Sequence, residues 1–132
     1  MLITGIFSCN SKKPASPEGF ELTDDFWLEQ VASEPLIKDP VDLEFDASGR
    51  AFVLQMPGYP QEDRQSYASI LFDNNGDGQY DSSAVYADSL QLATSIMPYQ
   101  EGLLVAAPPY LLHIRDSDGD LRADKRDTLM RV

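Results

Sequence analysis

Two stretches of this chain set oxygen ligands at alternate positions of a glycine-containing loop. The first runs Asp73-Asn74-Asn75-Gly76-Asp77-Gly78-Gln79-Tyr80-Asp81 and the second Asp116-Ser117-Asp118-Gly119-Asp120-Leu121-Arg122-Ala123-Asp124. Both fit D-x-[DN]-G-D-x-x-x-D, with Asp or Asn at loop positions 1, 3, 5 and 9. That is most of a calcium-loop signature, in which those positions offer side-chain oxygens and position 7 a main-chain carbonyl. The candidate ligands are therefore Asp73, Asn75, Asp77 and Asp81 with the Gln79 carbonyl, and Asp116, Asp118, Asp120 and Asp124 with the Arg122 carbonyl.

The chemistry follows from charge repulsion. Carboxylates brought to within about 4 Å repel by roughly 4 kcal/mol per pair at an effective dielectric near 20. A loop holding several therefore calls for a cation or an open, solvated shape. Calcium accepts six to eight such oxygens in flexible geometry, whereas magnesium demands a strict octahedron and keeps its waters. The loops differ in two places. The first has Gly78 at the sixth position, where the turn wants it, and Ala84 at the twelfth, so it lacks a closing acid. The second has Leu121 at the sixth and Asp127 at the twelfth, which gives it more charge and a worse turn. Affinity in the range of extracellular modules, roughly 10⁻⁴ to 10⁻³ M, is expected. The competing reading is that both are Asp/Asn/Gly hairpin turns, selected for positive φ and local side-chain bonds, that bind nothing.

The elements around the loops are strands. Leu43 and Phe45 alternate with Asp42, Glu44 and Asp46; the turn Ala47-Ser48-Gly49 follows, and Arg50 to Gln55 reads as a second strand. After a longer loop from Met56 to Tyr67, Ser69 to Phe72 is a third strand and Ala84 to Ala87 a fourth. The set recurs as Thr94 to Met97, Gly102 to Ala106, Tyr110 to Ile114 and Thr128 to Val132. β-formers flank the loops where a true EF-hand has helices, so the loops are hairpin connections. The interval from Asp73 to Asp116 is 43 residues, in the range of a four-stranded propeller blade. The expected fold is all-β: two four-stranded antiparallel blades of an incomplete β-propeller, at about 41–88 and 93–132, within a propeller fragment at 20–132. His113 alternates with Leu112 and Ile114, which puts it on the opposite face of its strand as a surface or hydrogen-bonded residue. Phe20 to Ala32 reads equally as short helix or strand, with Trp27 as a core anchor.

Composition sets bounds. The 132 residues, 42% hydrophobic, suffice for one core. The net charge of −12 argues against nucleic acid and anionic membrane surfaces, which need Lys/Arg footprints. Eight of the 22 acids lie in or beside the two loops, so the imbalance is local and suits a cation. A single cysteine allows no internal disulfide and no Cys-rich zinc site. Neither a Gly-x-Ser-x-Gly elbow, a phosphate loop nor a zinc motif is present, and the spacing of acids in a β-fold does not make a glycosidase pair.

Residues 1–9 form an apolar run that ends in Ile6-Phe7-Ser8-Cys9 and resembles a bacterial lipoprotein signal with its lipobox, Cys9 being the lipidated residue. The run is short and has no basic residue before it, which reads as either a misassigned start or a signal truncated at its front. It is far below the length of a transmembrane helix. Residues 10–19 are a tether. The expected location is exported, as a periplasmic or outer-membrane lipoprotein, with membrane contact only through the lipid.

A family resemblance rests on Val31-Ala32-Ser33-Glu34-Pro35-Leu36-Ile37-Lys38-Asp39-Pro40, then Phe45-Asp46-Ala47-Ser48-Gly49-Arg50, Pro57-Gly58-Tyr59-Pro60 and Gly102-Leu103-Leu104-Val105, together with the Asp-rich hairpins. Over about Gly19 to Val132 the chain resembles the N-terminal part of the membrane-bound dehydrogenase family, exported bacterial β-propellers related to the soluble glucose/sorbosone dehydrogenases. The resemblance implies a lipid-anchored or secreted propeller, oxidation of sugars or other alcohols by the parent protein, and in relatives a quinone or a haem c module. This chain has no Cys-x-x-Cys-His, and no catalytic or cofactor-binding residue carries over. The implied partners are the rest of a propeller or a downstream cytochrome module, with self-association of exposed blade faces. The alternative function is a self-contained, calcium-dependent binding module of the cell surface with no catalysis.

Overall fold

The computed structural model describes residues 18–60 and 66–132. Cys9, the lipobox and nearly all of the tether lie outside the described residues. The described residues 18–30 belong to one compact unit, and residues 31–132 form another. In the first, a turn closed by Phe26 N–H on the Thr23 carbonyl (3.1 Å) is followed by no helix or strand. Trp27 is 57% exposed rather than a core anchor, because this stretch joins no sheet that could bury it.

The second unit is all-β, with no helix among the described residues. Sheet one is β1 (Pro40–Phe45), β2 (Ala51–Gln55), β3 (Ser66–Phe72) and β4 (Ser82–Leu90). Sheet two is β5 (Ser95–Tyr99), β6 (Gly102–Ala107), β7 (Tyr110–Arg115) and β8 (Lys125–Arg131). Each is an antiparallel meander in chain order, blade-like, and the pair is not closed into a ring. The strands form where β-branched and aliphatic residues recur at period two, and stop where Asp, Asn and Gly allow the chain to turn.

The β1–β2 turn shows how local chemistry sets register. The Asp46 carboxylate accepts hydrogen bonds from the Ser48 amide (2.9 Å), the Ser48 hydroxyl (2.7 Å) and the Arg50 amide (2.9 Å), and pairs with Arg50 Nε at 2.6 Å. Gly49 supplies the positive φ of 84°. Partial desolvation pushes the Asp46 carboxyl up, but the Ser48 and Arg50 donors outweigh it and hold its pKa at about 2.

The sheets pack face to face. Phe52, Leu54, Ile70 and Tyr86 of sheet one meet Ile96, Leu103, Val105 and Ile114 of sheet two in one buried cluster. Each large side chain buried this way contributes about 1.5–3 kcal/mol. The Phe52 and Tyr86 rings meet edge to face, centroids 5.3 Å apart. Asp42 on β1 reaches across to β5, accepting from Ser95 Oγ at 2.9 Å and Ile96 N at 2.8 Å.

Candidate metal centre

Both acidic loops are hairpin connections, β3 to β4 and β7 to β8, and the same interval of 43 relates their hydrogen bonds. In loop two, Asp116 accepts the Gly119 amide on Oδ1 (2.8 Å) and the Leu121 amide on Oδ2 (2.9 Å). In loop one, Asp73 accepts the Gly76 amide on Oδ1 (2.7 Å) and the Gly78 amide on Oδ2 (2.9 Å). Asn75 and Asp118 each accept the amide two residues on, as do Asp77 and Asp120. Asp81 and Asp124 close the base of each loop by accepting the main-chain amides of Asn74 (2.7 Å) and Ser117 (2.8 Å). The first position of each loop thus curls the main chain around its own carboxylate.

This arrangement holds several negative groups close together by surrounding them with amide donors. The Asp73 carboxyl lies below its ordinary pKa, chiefly through the Gly78 amide. Partial desolvation pushes Asp116 up, but the Gly119 and Leu121 amides bring it down on balance. Asp124 is lowered by the Ser117 hydroxyl and amide. All three stay ionised in neutral solution, as ligands of a hard cation must be. Carboxylate oxygens carry two lone pairs each, so an amide bond leaves capacity for a metal.

The loops converge to different extents. In loop two, one oxygen each from Asp116, Asp118 and Asp120 lie within 4.8 Å of one another, so this cluster could hold a metal ion. In loop one the matching places are Asp73, Asn75 and Asp77, two carboxylates and an amide. Asp81 is turned to the loop base, where it also takes Asn75 Nδ2 at 3.3 Å. Asp124 is likewise committed to Ser117, whose hydroxyl lies at 2.6 Å. Gln79 and Arg122 stand at the seventh positions, and each donates its amide to the aspartate two before it, at 2.8 Å. Asp127 lies on β8 opposite His113, two pairs beyond the Arg115–Lys125 pair at the loop base, and its carboxylate pairs with the Arg115 guanidinium.

Leu121 takes the same left-handed conformation as Gly78, with φ of 70° against 88°. A branched residue pays about 1–2 kcal/mol for it. The offset comes from packing, since the Leu121 side chain lies against the inter-sheet core. Loop two is also fastened to sheet one: Ala123 N donates to the Tyr86 carbonyl at 2.7 Å, and the Arg122 guanidinium pairs with Asp88 at 2.6 Å. Burial pushes the Tyr86 phenol above its ordinary value. Tyr86, Asp88 and Ser117 are supporting residues that the loop signature does not name. The hydrogen-bonding side chain shared at the second position, Asn74 and Ser117, was the available signal for Ser117.

Residues 12–132 match the family described as a domain of unknown function, DUF7133, and the chain belongs to that family. Comparison with curated proteins and with solved structures gives no match.

Proposed function

We propose that this member of the DUF7133 family is a calcium-binding blade pair of an exported β-propeller, with the second acidic loop as its principal calcium site. The observation that carries the reading is the convergence of Asp116, Asp118 and Asp120 on one point, at the tip of a hairpin that is fastened to the neighbouring sheet. Hard oxygens, with no nitrogen or sulfur ligand in the cluster, favour calcium over transition metals, and the loop spacing favours it over magnesium. In this reading the ion offsets most of the charge of the cluster, and through Ala123 and Arg122 it stiffens the junction between the sheets.

The dehydrogenase resemblance supports the wider setting. The chain would then be scaffold for a parent protein that oxidises sugars or other alcohols, anchored by lipid on Cys9, with no catalytic role for the side chains named here. Calorimetric titration with calcium tests the metal reading. Wild-type protein is expected to bind with Kd of roughly 10⁻⁴ to 10⁻³ M. Asp120→Ala removes most of the heat and Asp77→Ala a smaller part. Heat unchanged by both substitutions would reduce the loops to plain turns.

A further inference from the structure

The repeat relation determines which sheet faces are used and which are open. At the interval of 43, Ile70 on β3 answers to His113 on β7, and Leu71 to Ile114. Ile70 and Ile114 both lie in the core between the sheets, whereas Leu71 and His113 lie on the two outer faces. Equivalent residues therefore point in opposite senses across the shared interface. The sheets are stacked head to tail, and such a heterologous contact leaves one face of each kind unused.

The chain leading into sheet one obeys the same rule. Tyr80 N donates to the Val31 carbonyl at 2.9 Å, the counterpart of the bond from Ala123 to Tyr86. Nine residues separate Val31 from Pro40 at the start of β1, as nine separate Tyr86 from Ser95 at the start of β5. Ile37 covers Ala51, Val53 and Leu71, while Ala93 is buried in the inter-sheet core. The segment 31–39 thus stands toward sheet one as 86–94 stands toward sheet two, and the outer face of sheet one is furnished like a face that receives another sheet.

Both open faces carry apolar side chains. On sheet two these are Met97, Tyr99 and Met130, each about half exposed; on sheet one they are Leu43, Phe45 and Val85. The sheet-two face also holds a buried polar group without a partner. His113 is only 6% exposed and packs edge to face on Tyr99 at 5.5 Å, yet its Nε2 finds no hydrogen-bond partner among the described residues, and the same holds for Arg115 Nε. These atoms are enclosed by the chain itself, so the face is closed at His113 and open at Met97, Tyr99 and Met130.

We propose that the outer face of sheet two is a docking surface for a second copy of this chain, which presents the outer face of its sheet one and so repeats the internal stacking. The step goes beyond cation binding and does not depend on it.

Sedimentation velocity over a concentration series, in chelator, tests this with two variants at exposed positions. Tyr99→Arg blocks the sheet-two face and Phe45→Arg the sheet-one face. Wild type is expected to associate reversibly, each variant alone to be monomeric, and an equimolar mixture of the two to regain a dimer, since each supplies the face the other lacks. The pair Met97→Lys and Val85→Lys repeats the test should either arginine variant lose its strand circular dichroism. Monomeric wild type at every concentration would overturn the proposal. So would association that survives Phe45→Arg, or a mixture that stays monomeric.

Discussion

The two acidic loops solve one folding problem with different sequences. Loop one uses glycine at both positive-φ positions, Gly76 and Gly78, and dilutes its charge with Asn75. Loop two keeps Gly119 but places Leu121 at the second such position and three aspartates at the first three ligand places. Loop two therefore bears more strain and more repulsion, and has two compensations that differ in kind: Leu121 is packed on the core, and its carboxylates converge where a cation would be held. A turn needs only the first loop's solution.

The largest expected effect separates the loops outright. Asp116→Ala should weaken calcium binding at loop two by at least about a hundredfold, since it removes a ligand and the acceptor that curls the loop; Asp73→Ala should leave loop-two binding within about threefold. Isothermal titration of both variants checks this. Exchange of the third ligand is a finer probe. Asp118→Asn should lower loop-two affinity on the order of tenfold, and Asn75→Asp should create comparable binding at loop one, because ligand charge count tunes such sites. If the swapped pair keeps the original ranking, the difference between the loops does not lie in their carboxylates.

Backbone strain gives the next test. Gly78→Ala should cost about 1–2 kcal/mol in urea unfolding, because nothing lies within 4 Å of the added Cβ and only the φ is opposed. Leu121→Ala should cost a similar amount by losing burial without relieving strain, whereas Leu121→Gly should fall within about 1 kcal/mol of wild type, as relief and loss offset each other.

Acid should act on both loops and on the β1–β2 turn alike. Asp46, Asp73, Asp116 and Asp124 are all held below the ordinary aspartate pKa in the folded chain. The unfolded chain therefore binds protons first on acidification. Their stabilisation is fully present above pH 4 or so and is lost as pH falls through the folded values, down to about 2 for Asp46. Thermal melts from pH 6 to pH 2 should show flat stability and then a decline starting near pH 4. The smallest effect is expected at Arg122→Ala, which removes an exposed ion pair worth at most about 1 kcal/mol. It should leave calcium binding intact, because the seventh position offers its carbonyl.

Much of this was legible in the residues. The eight strands follow from period-two runs such as Leu43 to Phe45 and Leu103 to Ala107 and from the Asp/Gly breaks between them, because local sterics and one-sided burial both act over a few residues. Loop geometry was legible for the same reason: the aspartates bond to amides two to seven positions away. What was not legible depends on neighbours distant in the chain. Leu121 looked like a defect in the turn until the core came up against it, and Trp27 looked like an anchor although its own stretch forms no strand. Asp127 stood at the twelfth loop position by count, yet strand pairing puts it opposite His113 and beside Arg115. His113 was placed on the correct face by alternation, but its burial against Tyr99 depends on a hairpin partner that no local pattern names.

The most direct test is an amide NMR titration with calcium that follows Gly119, Leu121 and Arg122 in one loop and Gly76, Gly78 and Gln79 in the other. The loop-two amides should shift saturably and at lower calcium than those of loop one, with magnesium at equal concentration far weaker. Amides in both loops that stay still, or that drift together without saturation and equally with magnesium, would contradict the assignment of a calcium site to Asp116, Asp118 and Asp120.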